Sequence, residues 1–218
     1  MKAAQPRVVE RILGSGILGQ PHLLERVAHA DSTVTKVTTH TSGALFSTSK
    51  SHRLALWRVW GDPAGSRLGW IMLNPSTADE TNPDRTVTRC VGYARRDGFH
   101  GIEITNLFTL RTPYPKDLHA AIADDDGDLF SATVVHEGAA LEIVRMVKRC
   151  EVVVLAWGSS GRQAARERWA EIAPMIEPFE SKLRVLKVND DGDPAHPLMQ
   201  RGDLRLTWWE GLHDTFFE

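Results

Sequence analysis

From Arg53 onward, short apolar runs alternate with segments of helical period, and this alternation limits the fold more than any other feature of the chain. Leu54, Leu56 and Trp57 precede the turn residues Gly61-Asp62-Pro63 and a second run, Leu68 to Leu73, which together read as a hairpin-like start of a sheet. Val87, Cys90, Val91 and Ala94 then recur at helical spacing within Asp84 to Arg96. Strands are expected at Ile102–Asn106, Val152–Ala156 and Leu183–Val188, with helices near Leu129–Arg149 and Gln163–Ala173. Strands separated by helices imply right-handed βαβ crossovers. The expected fold is therefore α/β, a three-layer sandwich around a mostly parallel sheet covered on both faces.

Residues 1 to about 50 follow a different pattern, which sets them apart as an N-terminal accessory segment ahead of the α/β domain at 51–218. Val8, Val9, Ile12 and Leu13 suit an amphipathic helix, and Gly14, Gly16 and Gly19 break it. Leu23, Leu24 and Val27 suit a second short helix, and a Ser/Thr-rich run spans Ser32 to Thr41.

The 218 residues are 42% hydrophobic and 25% charged, which argues against a disordered or fibrous chain. No stretch approaches the ~18 continuous apolar residues of a membrane span, and the first residues lack a secretory apolar region. A cytoplasmic protein is expected. Cys90 and Cys150 form neither a disulfide framework nor a CxxC pair, and the nine histidines lack HExxH spacing. No GxxxxGK[ST] or GxSxG is present, and no metal and no cofactor is expected. The net charge is -2, yet up to Arg67 nine Lys/Arg stand against four Asp/Glu, a local excess that suits either a solvated surface or a polyanion.

Ligands of open α/β sheets collect outside the carboxyl ends of the strands. Four such ends carry polar or turn residues: Asn74-Pro75-Ser76-Thr77, Thr105-Asn106, Trp157-Gly158-Ser159-Ser160, and Asn189 with the loop to His196-Pro197-Leu198. They are expected to line one crevice. His196 there could donate from its imidazole to a developing oxyanion, and the Asn106 amide offers a donor and an acceptor. Asp79 and Asp84 are candidate carboxylates for orienting a water, with Asp84 equally suited to capping a helix. Ser159 and Ser160, with Arg162 and Arg166, could seat an anion at a helix start. Each residue also has a plain role: turn, strand terminator or loop histidine.

LNPSTAD (Leu73 to Asp79), NPDRTVTRC (Asn82 to Cys90), TNLFTLR (Thr105 to Arg111), AWG (Ala156 to Gly158) and HPL (His196 to Leu198) resemble, in this order, a bacterial and phage family defined only as a domain of unknown function. The same order is similar to the uracil-DNA glycosylase superfamily. That resemblance implies that the Asn74-Pro75 loop holds the water-directing residue, that Asn106 reads a flipped base, and that His196 polarises the base oxygen. It makes Asn74 and His196 catalytic and Pro75, Asn106 and Trp157 base-binding; Asp79 is favoured over Asp84 as an auxiliary catalytic carboxylate by its place near the strand end, and the hydroxyls of Ser76 and Thr77 suit base-binding contacts to a polar substituent. Leu198 of the His-Pro loop would touch DNA, although it stands where the superfamily's loop continues with serine; Arg111 and Arg162 by their charge, and Ser159 and Ser160 by their helix start, are the further candidates for DNA contact. Uracil-specific relatives place an aromatic ring against carbon 5 of the pyrimidine, whereas Pro75-Ser76-Thr77-Ala78 has none. The resemblance thus implies a DNA glycosylase for a modified pyrimidine, such as glucosylated 5-hydroxymethylcytosine in double-stranded phage DNA. A non-catalytic modified-base binder and a hydrolase of free nucleosides or nucleotides are the alternatives.

Overall fold

A computed structural model describes residues 34–38, 42–123 and 133–209. The two helices expected between residues 8 and 27 lie outside the described residues. Eight strands form one sheet: β1 (Val34–Thr38), β2 (Ser42–Ser47), β3 (Arg53–Val59), β4 (Arg67–Met72), β5 (Gly101–Asn106), β6 (Val152–Leu155), β7 (Leu183–Val185) and β8 (Thr207–Trp208). The helices are α1 (Arg85–Arg96), α2 (Pro115–Ala123), α3 (Thr133–Arg149) and α4 (Arg162–Ile176).

The strand order is β1-β2-β3-β5-β4-β6-β7-β8. β5, β4, β6 and β7 are parallel, while β1, β2 and β3 on one side and β8 on the other pair antiparallel. The sheet is thus mixed and not mostly parallel. The expected hairpin is also absent, because β5 inserts between β3 and β4 and takes both ladders. The Gly61-Asp62-Pro63 stretch turns the chain, yet its flanking strands are separated in the sheet by β5. Part of the Ser/Thr-rich run forms β1, which pairs with β2 and so joins the same sheet.

Alternation along the central strands builds a core on each face. Leu68, Trp70 and Met72 of β4, with Ile102 and Ile104 of β5, pack against Val87, Cys90, Tyr93 and Ala94 of α1. Ile71 and Leu73 face the opposite way, toward Ile143, Met146 and Val147 of α3 and Trp169 and Ile172 of α4. The three layers expected from the sequence are therefore present. Gly69 lets α3 approach closely, since a Cβ there would lie 2.3 Å from the Met146 sulfur.

The α3 face also carries buried Glu103, which pairs with Arg67 and Arg149 at 2.7 Å each. At the end of α3, Lys182 Nζ donates to the carbonyls of Val147, Lys148 and Cys150, satisfying acceptors that the helix leaves open. α4 extends past Pro174 to Ile176, because a proline in the last turn removes only one late hydrogen bond. α2, which follows Thr112-Pro113-Tyr114, has no counterpart in the sequence reading. None of the described helices is long and apolar enough to cross a membrane.

Candidate active site

The register places the polar strand ends together. Met72 of β4 lies opposite Asn106 of β5, and the pairing continues as Leu107 and Phe108 N–H groups donate to the Met72 and Leu73 carbonyls. On the other side of β4, Ala156 N–H donates to the Ile71 carbonyl. Gly158, with φ +72°, donates to the Pro194 carbonyl, and a Cβ on it would lie 3.0 Å from His196 Cβ. The four termini thus meet at one sheet edge, as expected. β3 runs antiparallel to β5, so its first residue, Arg53, arrives at the same edge.

Arg53 is 2% exposed and Asn106 3%. The Arg53 guanidinium donates through Nη1 to the Ala78 carbonyl at 3.0 Å and through Nη2 to Asn106 Oδ1 at 3.4 Å. Arg53 Nε and Asn106 Nδ2 are both buried without a partner. Burial pushes the Arg53 guanidinium down to about 10, with Asp84 the opposing charge. Two unsatisfied donors on neighbouring side chains are costly, and most buried polar groups avoid that state. Arg58, also from β3, holds the carbonyl of Asp79, so two arginines grip the segment after β4 through its backbone.

His196 caps the short turn Pro197–Met199: its Nδ1 accepts from Leu198 N–H at 3.3 Å. An accepting Nδ1 carries no proton, which leaves the hydrogen of the neutral ring on Nε2. Burial lowers the His196 pKa below the ordinary histidine value, opposed only by the charge of Asp84. Asp84 is the N-cap of α1, its Oδ1 accepting from Val87 N–H at 2.8 Å. Its second oxygen has no hydrogen bond among the described residues. One carboxylate therefore serves a helix end and acts electrostatically on both Arg53 and His196.

The other expected residues divide. Asn74 Nδ2 donates to the carbonyls of Pro75, Leu110 and Thr112, fastening the segment after β4 to the one after β5. Asp79 accepts from Thr81 and Asn82 through backbone and side-chain donors, which hold its carboxyl well below the usual range. The Asn74 amide nitrogen and the Asp79 carboxylate are thus engaged in loop architecture. Pro75 is buried, Ser76 half-buried and Thr77 exposed. Trp157 is buried beside Trp169, ring centroids 4.9 Å apart, with its indole N–H unpaired.

Arg111 lies over the Phe46 ring at 4.8 Å and donates to the Lys50 carbonyl. Ser159 accepts from Asn189 Nδ2, and Ser160 is exposed. Arg162 donates to the Asp191 carbonyl and lies 3.6 Å from buried Asp193, so it has acidic company already. Leu198 is half-buried and lines an open depression of about 410 Å³ with Pro83, Asp84, Arg85, Thr88 and Arg89. The next residue, Met199, is 84% exposed.

Sequence reasoning passed over Arg53 and Arg58, because an arginine flanking or alternating with apolar residues reads as solvated. Asp84 competes in the sequence with Asp79 for the same part, and its place between helix cap and crevice emerges only in the three-dimensional arrangement.

Fold and crevice together define an α/β protein with a mixed sheet, whose polar edge gathers a buried arginine, an asparagine, a carboxylate and a neutral histidine at the carboxyl ends of its parallel strands. The chain belongs to the family described as "Protein of unknown function (DUF1643)", which matches residues 53–198. Arg53 is the first residue of that match and Leu198 the last, so every residue of the crevice named above falls within it, Met199 excepted. No curated protein and no solved structure matches the chain.

Proposed function

We propose that this protein is a DNA glycosylase that hydrolyses the N-glycosidic bond of a modified pyrimidine. The observation that carries the reading is the neutral His196, held with its Nε2 hydrogen free while Nδ1 is occupied by Leu198 N–H. In this reaction the bond between sugar C1′ and the base nitrogen breaks, and its electron pair leaves with the base. A neutral imidazole N–H aimed at the base oxygen stabilises that charge without giving up its proton. Water adds to C1′, its proton passing to the free oxygen of Asp84, whose charge also favours the positive character of the sugar. Asn106 contacts the edge of the extruded base. This differs from the sequence expectation in one respect: Asp84 takes the part first given to Asn74 and Asp79, because the Asn74 amide nitrogen and the Asp79 carboxylate are engaged within loops.

The arginines support a DNA partner. Nine of those described lie within 4.0 Å of a carboxylate, among them Arg67, Arg149, Arg162 and Arg166. Arg53, Arg58, Arg85, Arg89 and Arg111 have no such partner among the described residues and surround the crevice or its adjoining depression, Arg53 and Arg58 buried and Arg85, Arg89 and Arg111 nearer the surface, while Arg95 and Arg184, likewise without a carboxylate, lie over tryptophan rings elsewhere. A local excess of unpaired cations suits phosphates. Exposed Met199 beside half-buried Leu198 suits an apolar wedge that fills the space of an extruded base.

The test is incubation with duplexes carrying cytosine, 5-hydroxymethylcytosine or its glucosylated form, followed by alkali and mass spectrometry of released bases. Release of the modified base with matching strand breaks is expected. Retained DNA binding without any released base would overturn the proposal in favour of a binding module, and release only from free nucleosides would overturn the DNA substrate.

A further inference from the structure

The crevice holds a feature that the hydrolytic reading does not use: Arg53 touches Asn106 and no carboxylate. An asparagine amide ordinarily reads a ligand in either of two orientations, offering a donor one way and an acceptor the other. Here the choice is made by the neighbour. A guanidinium has only donors, so the oxygen of Asn106 must face Arg53 Nη2 and the NH2 must face away. The buried, unpartnered Nδ2 is the atom left over, and the unpartnered Nε of Arg53 is a second donor beside it. With the Nε2 hydrogen of His196, the polar atoms offered to a ligand by these three side chains are all donors.

We infer that Arg53 is a positioning residue that locks the Asn106 amide with its NH2 toward the ligand, so that the site selects a base edge presenting adjacent acceptors. Among pyrimidines that edge belongs to the cytosine type, whose O2 and unprotonated N3 both accept. A uracil or thymine type carries a hydrogen on N3, which would face the NH2 of Asn106 donor to donor. Were the amide free to flip, it would accept from that hydrogen and the two base types would be read alike. The inference rests on the base-binding reading of the crevice but not on bond cleavage.

Its test therefore reads binding. The side-chain amide resonance of Asn106, assigned by its loss in Asn106→Asp, is followed by 1H–15N NMR during titration with 5-hydroxymethyl-2′-deoxycytidine and with 5-hydroxymethyl-2′-deoxyuridine, which differ only at the N3–C4 edge. The cytidine form is expected to shift the resonance at a concentration about tenfold or more below the uridine form, the fold-change that an unsatisfied donor pair brings. In Arg53→Met the preference should fall to about twofold or less; a merely structural role for Arg53 would weaken both nucleosides equally and leave the ratio intact. Arg53→Lys, which keeps a donor toward Oδ1, should retain the preference and serves if the methionine variant does not fold. Equal response to both nucleosides, a larger response to the uridine form, no response to either, or an unchanged ratio in Arg53→Met would each overturn the inference. Failure of base release from every duplex, with this preference intact, would overturn the glycosylase proposal alone.

Discussion

His196 illustrates how a backbone hydrogen bond can set the chemistry of a side chain. Protonating the ring would put a hydrogen on Nδ1, which would then oppose Leu198 N–H and lose the cap of the Pro197–Met199 turn. Burial lowers the pKa for a second, independent reason. Both effects favour the neutral ring, so the sign is fixed: the active form is present above the folded pKa and lost as pH falls through it. The single-turnover rate of base release should be level from pH 8 down to about 6.5, the ordinary histidine value, and decline only below it. A rate that rises as pH falls through 6 would mean that the imidazolium acts as a general acid. Replacing His196 by alanine removes the donor to the leaving base and should lower the rate by about 10²–10³, with duplex affinity retained. An unchanged rate in that variant would take His196 out of the reaction.

Asp84 belongs to a helix as much as to a crevice, and substitutions can separate these two duties. Asparagine caps helices about as well as aspartate, whereas alanine does not cap at all and costs about 0.5–2 kcal/mol. Asp84→Asn should therefore unfold at nearly the wild-type denaturant midpoint while losing base release. Asp84→Ala should lose both. Equal activity of wild type and Asp84→Asn would show that the carboxylate has no part in the chemistry. The helix itself was plain in the sequence, because Val87, Cys90 and Ala94 recur at helical spacing after a capping aspartate. Strands β4, β5 and β6 were plain for a related reason, since runs such as Leu68–Leu73 pack on both faces and admit few polar residues. The neighbour of each strand was not plain. Gly61-Asp62-Pro63 has the composition of a hairpin turn, and local residues carry no sign that Gly101–Asn106 will come between β3 and β4. α2 escaped because the proline-rich Thr112–Pro115 stretch reads as loop. The same gap hid the key neighbour of Asn106: Arg53 lies 53 positions away, and only the antiparallel course of β3 brings it to the carboxyl edge.

Among the described residues, nine arginines are paired to acids, while Arg85 and Arg89 of the depression beside the crevice are not. DNA affinity should therefore fall steeply with salt, and Arg85→Ala should reduce the log–log slope by about one, as loss of one phosphate contact does. Arg162→Ala, whose guanidinium already faces Asp191 and Asp193, should leave the slope unchanged. A slope indifferent to Arg85 and diminished by Arg162 would move the DNA path to the start of α4. The inserted position of β5 also governs how the protein comes into being. β3 and β4 share no ladder, and β3 gains its partner on that side only when a segment more than forty residues later docks. Contacts between distant segments form slowly, because chain entropy is lost before they are rewarded. In pulsed hydrogen exchange during refolding, the amides of β3 that face β5 should gain protection together with those of β5 and not in the early microseconds typical of a hairpin. Arg53 and Asn106 are brought together by the same docking event, so nascent or partly refolded chains have no binding crevice until the centre of the sheet has closed.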